Sequence, residues 1–114
     1  MRRGEIWTVA GGGDFTGKAR PAVILQDDSF DEMASVTLCV FTTTLIDAPL
    51  FRVAIRPSAV NGLDAESHLM VDKITTVRRT RLGERVGRLS DEDLVRLNRA
   101  VLVFLGLAGG ARRS

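Results

Sequence analysis

The chain has 114 residues, 45% of them hydrophobic and 26% charged, which is enough for one domain with a single core and too little for two. A lone Cys39 excludes a disulfide framework and suits a reducing cytoplasm, while one histidine, His68, with no CxxC or HxxxH spacing leaves no zinc site and no metal is expected. Net charge is only +2, yet residues 1–72 hold six basic and ten acidic side chains whereas residues 73–114 hold ten basic and four acidic, so the second part of the chain is the basic one. Arg2 and Arg3 are followed by Glu5 and Trp7 instead of an apolar segment, so no export signal is read. The most apolar stretch, 100–111, is too short to span a bilayer and is broken by Gly106, Gly109 and Gly110.

In chain order, Ile6, Trp7, Thr8 and Val9 form a first strand, and Gly11, Gly12 and Gly13 open a long hairpin connection that lasts until Pro21. Residues 22–26 read as a second strand. A polar, turn-like segment with a short helical turn follows at 27–35, and 36–44 is a third strand. Residues 51–56 alternate, with Phe51, Val53 and Ile55 on one face against Arg52, Ala54 and Arg56, as a half-buried strand does. Asn61 and Gly62 mark a turn, 69–77 is a further strand rich in β-branched residues, and 83–89 is a short one. Ser90 then caps a helix whose first turn carries Asp91, Glu92 and Asp93. Leu94, Leu97, Val101, Phe104 and Leu105 recur at helical spacing, so this face packs on the sheet, and Gly106 or Gly109 ends the helix. A tail is expected at 110–114. Many short strands with one terminal helix predict a mainly β (α+β) domain: a small, strongly bent antiparallel sheet or barrel with the helix against it.

Two local features bear on function. Proline sets its own backbone angle and drives the preceding residue into an extended conformation, so Arg20 is held at a strand edge, where its planar fork suits two phosphate oxygens. Arg78, Arg79, Arg81, Arg85 and Arg88 fall within eleven residues, the footprint of a polyanion partner. A solvated charged hairpin partly paired with Glu84 is the alternative reading of that cluster. Residues 12–18 match the spacing of a phosphate-binding loop, but Ala19 stands where magnesium needs Ser or Thr, and a strand follows where a helix should begin. The match is accidental.

RGEIW at 3–7, ARPAVILQDD at 19–28, LCVFTTT at 38–44, GLDAESHLMVDKITTV at 62–77 and RLGERVGRLSDEDLVRLNRAVLVFLGL at 81–107 together resemble the MazF/PemK toxins, endoribonucleases of type II toxin–antitoxin pairs. The resemblance implies an SH3-like barrel with a C-terminal helix, shared with the CcdB toxins and working as a homodimer in the cytoplasm. Its substrate would be single-stranded RNA, cut independently of the ribosome and without a cofactor. A cognate antitoxin, through a disordered acidic and apolar tail, would cover the basic groove. The family's catalytic arginine matches Arg20, and its threonine matches Thr43, with Thr42 as the alternative. Two departures bear on which RNA sequence is preferred: Asp14 and Phe15 stand where some relatives have a loop glutamate, and Asp72-Lys73 stands where many have Asp-Gln.

The implied chemistry needs no metal, because the neighbouring 2′-hydroxyl attacks phosphorus and expels the 5′-oxygen. A fixed guanidinium and a hydroxyl donor stabilise charge on the nonbridging oxygens. Guanidinium is a poor base near neutrality, so Arg20 is read as an electrostatic stabiliser. RNA contacts are expected from Asp14, Phe15, Lys18, Lys73, Arg78, Arg79 and Arg81, with Phe15 offering a stacking surface in its loop. Two other readings are a CcdB-like gyrase poison and a barrel that binds RNA without cutting it.

Overall fold

The computed structural model describes residues 1–11 and 18–109. Seven antiparallel strands and one helix follow in the order β1 (Glu5–Val9), β2 (Arg20–Ile24), β3 (Ser35–Thr42), β4 (Arg52–Ile55), β5 (Ser67–Met70), β6 (Thr75–Arg78), β7 (Leu82–Arg88) and α1 (Asp91–Phe104). Among the described residues no helix is long and apolar enough to cross a membrane.

The sheet runs β4-β5-β3-β2-β1-β7, with β6 also paired to β3. β3 makes this topology possible because it is long enough to serve two partners along one edge. Ser35 to Leu38 pair with β6, and Phe41 and Thr42 pair with β5. Its other edge faces β2, with Ala22 opposite Val40 and Ile24 opposite Leu38. The sheet therefore bends at the middle of β3 into a small barrel-like fold left open between β4 and β7. Ile6, Val23, Cys39, Phe41, Leu69 and Leu97 fill its interior. A second apolar group on the other face includes Val9, Ala22, Ile24, Val36 and Leu38.

The segment after β4 covers the free edge of β7. Arg88 donates its N–H to the Val60 carbonyl at 3.1 Å, and a Cβ at Gly87 would lie 2.5 Å from the carbonyl oxygens of both Val60 and Asn61. Asn61 is buried and holds this segment shut, its side chain accepting from Ser58 and Leu63 N–H and donating to the Arg56 carbonyl. Gly62, at φ +68°, could not carry a side chain without meeting the Val86 carbonyl. Gly87→Ala should therefore cost about 1–3 kcal/mol by forcing two backbone carbonyls apart, read as a lower urea midpoint at unchanged m-value.

The expected strands are present with shifted bounds. β2 begins at Arg20, because its extended backbone already pairs with Val9, and β3 ends at Thr42 instead of residue 44. The single strand expected over 69–77 is two strands separated by a 3-10 turn at Val71–Lys73, since Val71 turns into the core and its N–H reaches the Phe51 carbonyl. The turn expected between the second and third strands holds a 3-10 helix at Asp28–Phe30.

Ser90 caps α1 by accepting from Asp93 N–H at 3.1 Å. Gly106, at φ +76°, ends it, with Leu107 N–H bonded back to the Leu102 carbonyl and Gly106 N–H to that of Val103. Leu94, Leu97 and Val101 pack inward as their spacing predicts. Phe104 and Leu105 do not: they are 47% and 55% exposed. The tail expected at 110–114 lies outside the described residues.

Candidate nucleic-acid interface

Arg20 opens β2, exposed at the end of the strand and opposite Val9. It rims a cavity of about 330 Å³ whose walls include Leu38, Val40 and Met70 and whose other cations are Lys73 and Arg81. Each cation arrives on a different element: a strand start, the turn after β5 and the turn before β7. Arg81 is tied to the opposite rim, its guanidinium donating to the Ala10 carbonyl while Ala10 N–H donates to the Arg81 carbonyl at 2.9 Å. An apolar floor beneath three positive groups suits an unstacked base attached to a phosphate.

Thr42 closes β3 and is half-buried, while Thr43 is the first residue past the strand and is exposed. Antiparallel pairs direct facing side chains to one side, so with Ala22 opposite Val40, residues 20 and 42 two steps further on share the face of the cavity. Thr42 Oγ1 accepts from Thr44 N–H at 3.1 Å, which leaves its own proton to donate. Across β5 the partner of Thr42 is His68, whose Nδ1 is buried with no hydrogen-bond partner among the described residues. Sequence reading could not find this neighbour, because only the bend of β3 brings β5 alongside it.

The other expected RNA contacts separate. Lys18 is exposed at the approach to β2, and Arg78 is exposed at the end of β6. Arg79 faces a different hollow, beside Met1, Trp7 and Leu82, and pairs with Asp31 at 3.5 Å. Asp14 and Phe15 lie outside the described residues. The arginine cluster is partly neutralised, but through Asp31 at Arg79 and through Glu5, which pairs with Arg85 at 3.1 Å, where the sequence had suggested Glu84. The reason is the β1–β7 pairing, which lays residue 5 alongside the arginines of β7. No group of three His, Cys, Asp or Glu side chains able to hold a metal occurs among the described residues.

One half-buried ion pair escaped sequence reading. Arg52 grips Asp72 through Nε to Oδ1 at 2.9 Å and through its terminal nitrogen to Oδ2 at 3.3 Å. The Arg52 hydrogen bonds hold the Asp72 carboxyl below its usual 3.8, outweighing burial. At Glu5 burial pushes upward, but hydrogen bonds from Arg2 N–H, the Trp7 indole and Arg85 prevail and lower it from 4.5. Burial, with Asp72 nearby, pushes the Cys39 thiol up to about 12, so it is an inert core residue. Carboxyls lowered on folding stabilise the native state above their unfolded values and lose that contribution as pH falls through the folded ones. Stability should thus be level above about pH 5 and decline progressively below pH 4. Urea midpoints against pH check this, and Asp72→Asn should flatten the decline.

The chain matches the model of the PemK-like, MazF-like toxin of type II toxin–antitoxin systems over residues 2–105. It is 57% identical over 109 residues to a probable endoribonuclease MazF of Mycolicibacterium smegmatis, covering 96% of this chain and all of that one. An endoribonuclease MazF of Staphylococcus saprophyticus is 30% identical, covering 94% and 92% of the two chains. The fold superposes at a TM-score of 0.79 on a mycobacterial endoribonuclease solved in complex with its cognate antitoxin, at 25% identity and covering 94% and 96%.

Proposed function

The chain belongs to the PemK-like, MazF-like toxin family of type II toxin–antitoxin systems and is an endoribonuclease, and we propose that it cuts single-stranded RNA at the cavity shared by Arg20, Lys73 and Arg81. The convergence of these three cations over an apolar floor carries the reading. The ribose 2′-hydroxyl beside the scissile phosphate attacks phosphorus, the bond to the 5′-oxygen breaks, and the products are a 2′,3′-cyclic phosphate and a 5′-hydroxyl. Because the nucleophile belongs to the substrate, the reaction requires no metal-bound hydroxide and leaves DNA intact, and it proceeds without the ribosome. The Arg20 fork receives charge on the nonbridging oxygens, with a threonine hydroxyl as second donor. Resemblance favours Thr43 for that donor; the strand register favours Thr42, which shares a face with Arg20.

The protein acts in the cytoplasm as a homodimer restrained by an antitoxin. Support for the dimer comes from α1, whose outer face and last turn expose Val95, Leu102, Val103 and Phe104, with Leu50 lining a hollow beside Val103. Val103→Asp is expected to shift the sedimenting species from dimer to monomer. Support for the antitoxin comes from the mycobacterial endoribonuclease solved with its cognate antitoxin and from the chemistry of the groove, which fits an acidic, apolar tail.

The deciding experiment is incubation of purified protein with long single-stranded RNA in excess EDTA, followed by mapping of the ends. Discrete cuts leaving 5′-hydroxyl groups are expected. Intact RNA with a folded protein would overturn the reading and favour gyrase inhibition or RNA binding alone.

A further inference from the structure

We infer that the Arg52–Asp72 ion pair is a positioning device, holding the turn after β5 so that Lys73 meets the RNA backbone beside Arg20 and Arg81. The inference rests on the ribonuclease reading above. Three consecutive residues divide the task. Val71 is wholly buried and its N–H is bonded to the Phe51 carbonyl at 3.0 Å, which anchors the turn to the residue just before β4. Asp72 is gripped at both oxygens by the fork of Arg52, with side chains only 23% and 10% exposed. Lys73, next in the chain, is exposed and lines the cavity. The first two fix the backbone from which the third projects. An untethered turn would add its own backbone motion to that of the flexible lysine stem, whereas a clamped turn fixes the point from which the stem reaches the groove. The fork is spent on Asp72, so Arg52 acts through Lys73 and not on RNA.

The sign of one substitution separates positioning from simple charge. Asp72 is an acid one residue from a groove that takes a polyanion. If only Coulomb attraction mattered, Asp72→Asn would tighten RNA binding. If the pair positions Lys73, the same change weakens it.

The test measures binding of a single-stranded RNA with 2′-O-methyl riboses throughout, which removes the nucleophile, by fluorescence anisotropy over a salt series. Wild type, Lys73→Met, Asp72→Asn and the double variant are compared, with thermal melts to show that each is folded. Lys73→Met should reduce the steepness of log affinity against log salt by about 0.7, the loss of one phosphate contact on a single strand. Asp72→Asn should reproduce that reduction, and the double variant should lose nothing more than Lys73→Met alone. A folded Asp72→Asn that keeps the wild-type slope, or losses that add in the double variant, would overturn the inference. Should Asp72→Asn not fold, Arg52→Lys decides in the same way, since it keeps the charge and removes the fork. Wild-type protein that neither binds this probe nor cuts RNA overturns the ribonuclease reading and the inference together; wild-type binding with an unaltered Asp72→Asn slope overturns the inference alone.

Discussion

Arg20→Ala is expected to slow RNA cleavage by about 10²- to 10³-fold while the protein stays folded, the range found when one preorganised donor to a developing oxyanion is removed. The argument is geometric. Pro21 and the Val9 pairing fix the backbone of residue 20 at the start of β2, so the guanidinium leaves from a rigid point at the cavity rim. A donor held this way requires no reorganisation as charge builds on phosphorus. Single-turnover cleavage of a defined RNA measures the effect, beside binding of an uncleavable analogue. A loss confined to binding would make Arg20 one phosphate contact among several, whereas a loss in the chemical step at saturating RNA identifies stabilisation of the transition state. Arg20→Lys should recover only part of the rate, because an ammonium keeps the charge without the fork.

Leu97→Ala should cost about 2–5 kcal/mol. Leu97 is the helix residue with no exposed surface, and it reaches the interior shared by Ile6, Cys39 and Leu69. Truncation leaves a void that the helix cannot fill by sliding, because Leu89 N–H, just before it, is bonded to the Gly4 carbonyl and Arg96 on it donates to the Ala54 carbonyl of β4. Native domains are stable by only about 5–15 kcal/mol, so the change consumes a large share of the total. Urea unfolding followed by circular dichroism tests it. A shift under 1 kcal/mol would mean that the helix contributes little to the stability of the sheet.

What the sequence disclosed was mostly local. The Ser90 cap, the alternation through Phe51 to Arg56 and the extended backbone around Arg20-Pro21 each depend on neighbours a few residues away, and each is present. The break at Val71–Lys73 was hidden because β-branched residues flank Asp72 and Lys73 on both sides, and the turn arises only where Val71 finds the core and Asp72 finds Arg52, 20 residues earlier in the chain. Arg52 itself was legible as an outward residue of a half-buried strand; what covers it was not. The end of β3 and the burial of the last turn of α1 were overestimated for a shared reason. Thr43, Phe104 and Leu105 continue a pattern that has no partner strand left to pair with or cover them. The candidate site was legible at Arg20, Lys73 and Arg81 as residue types, while their meeting at one cavity depends on the bend of β3. His68 beside Thr42 depends on the same bend.

The position of β1 sets an order of events. It lies between β2, its neighbour in the chain, and β7, with Glu5 paired to Arg88 across most of the sequence. Pairing between such distant segments must bear the entropy of closing a long loop before contacts reward it, which makes this the slow step of folding. During synthesis from the N-terminus, Arg20 emerges early, but Arg81 and the strand that holds it arrive near the end. The groove that joins Arg20 to Arg81 therefore does not exist until β7 has been made and has paired with β1.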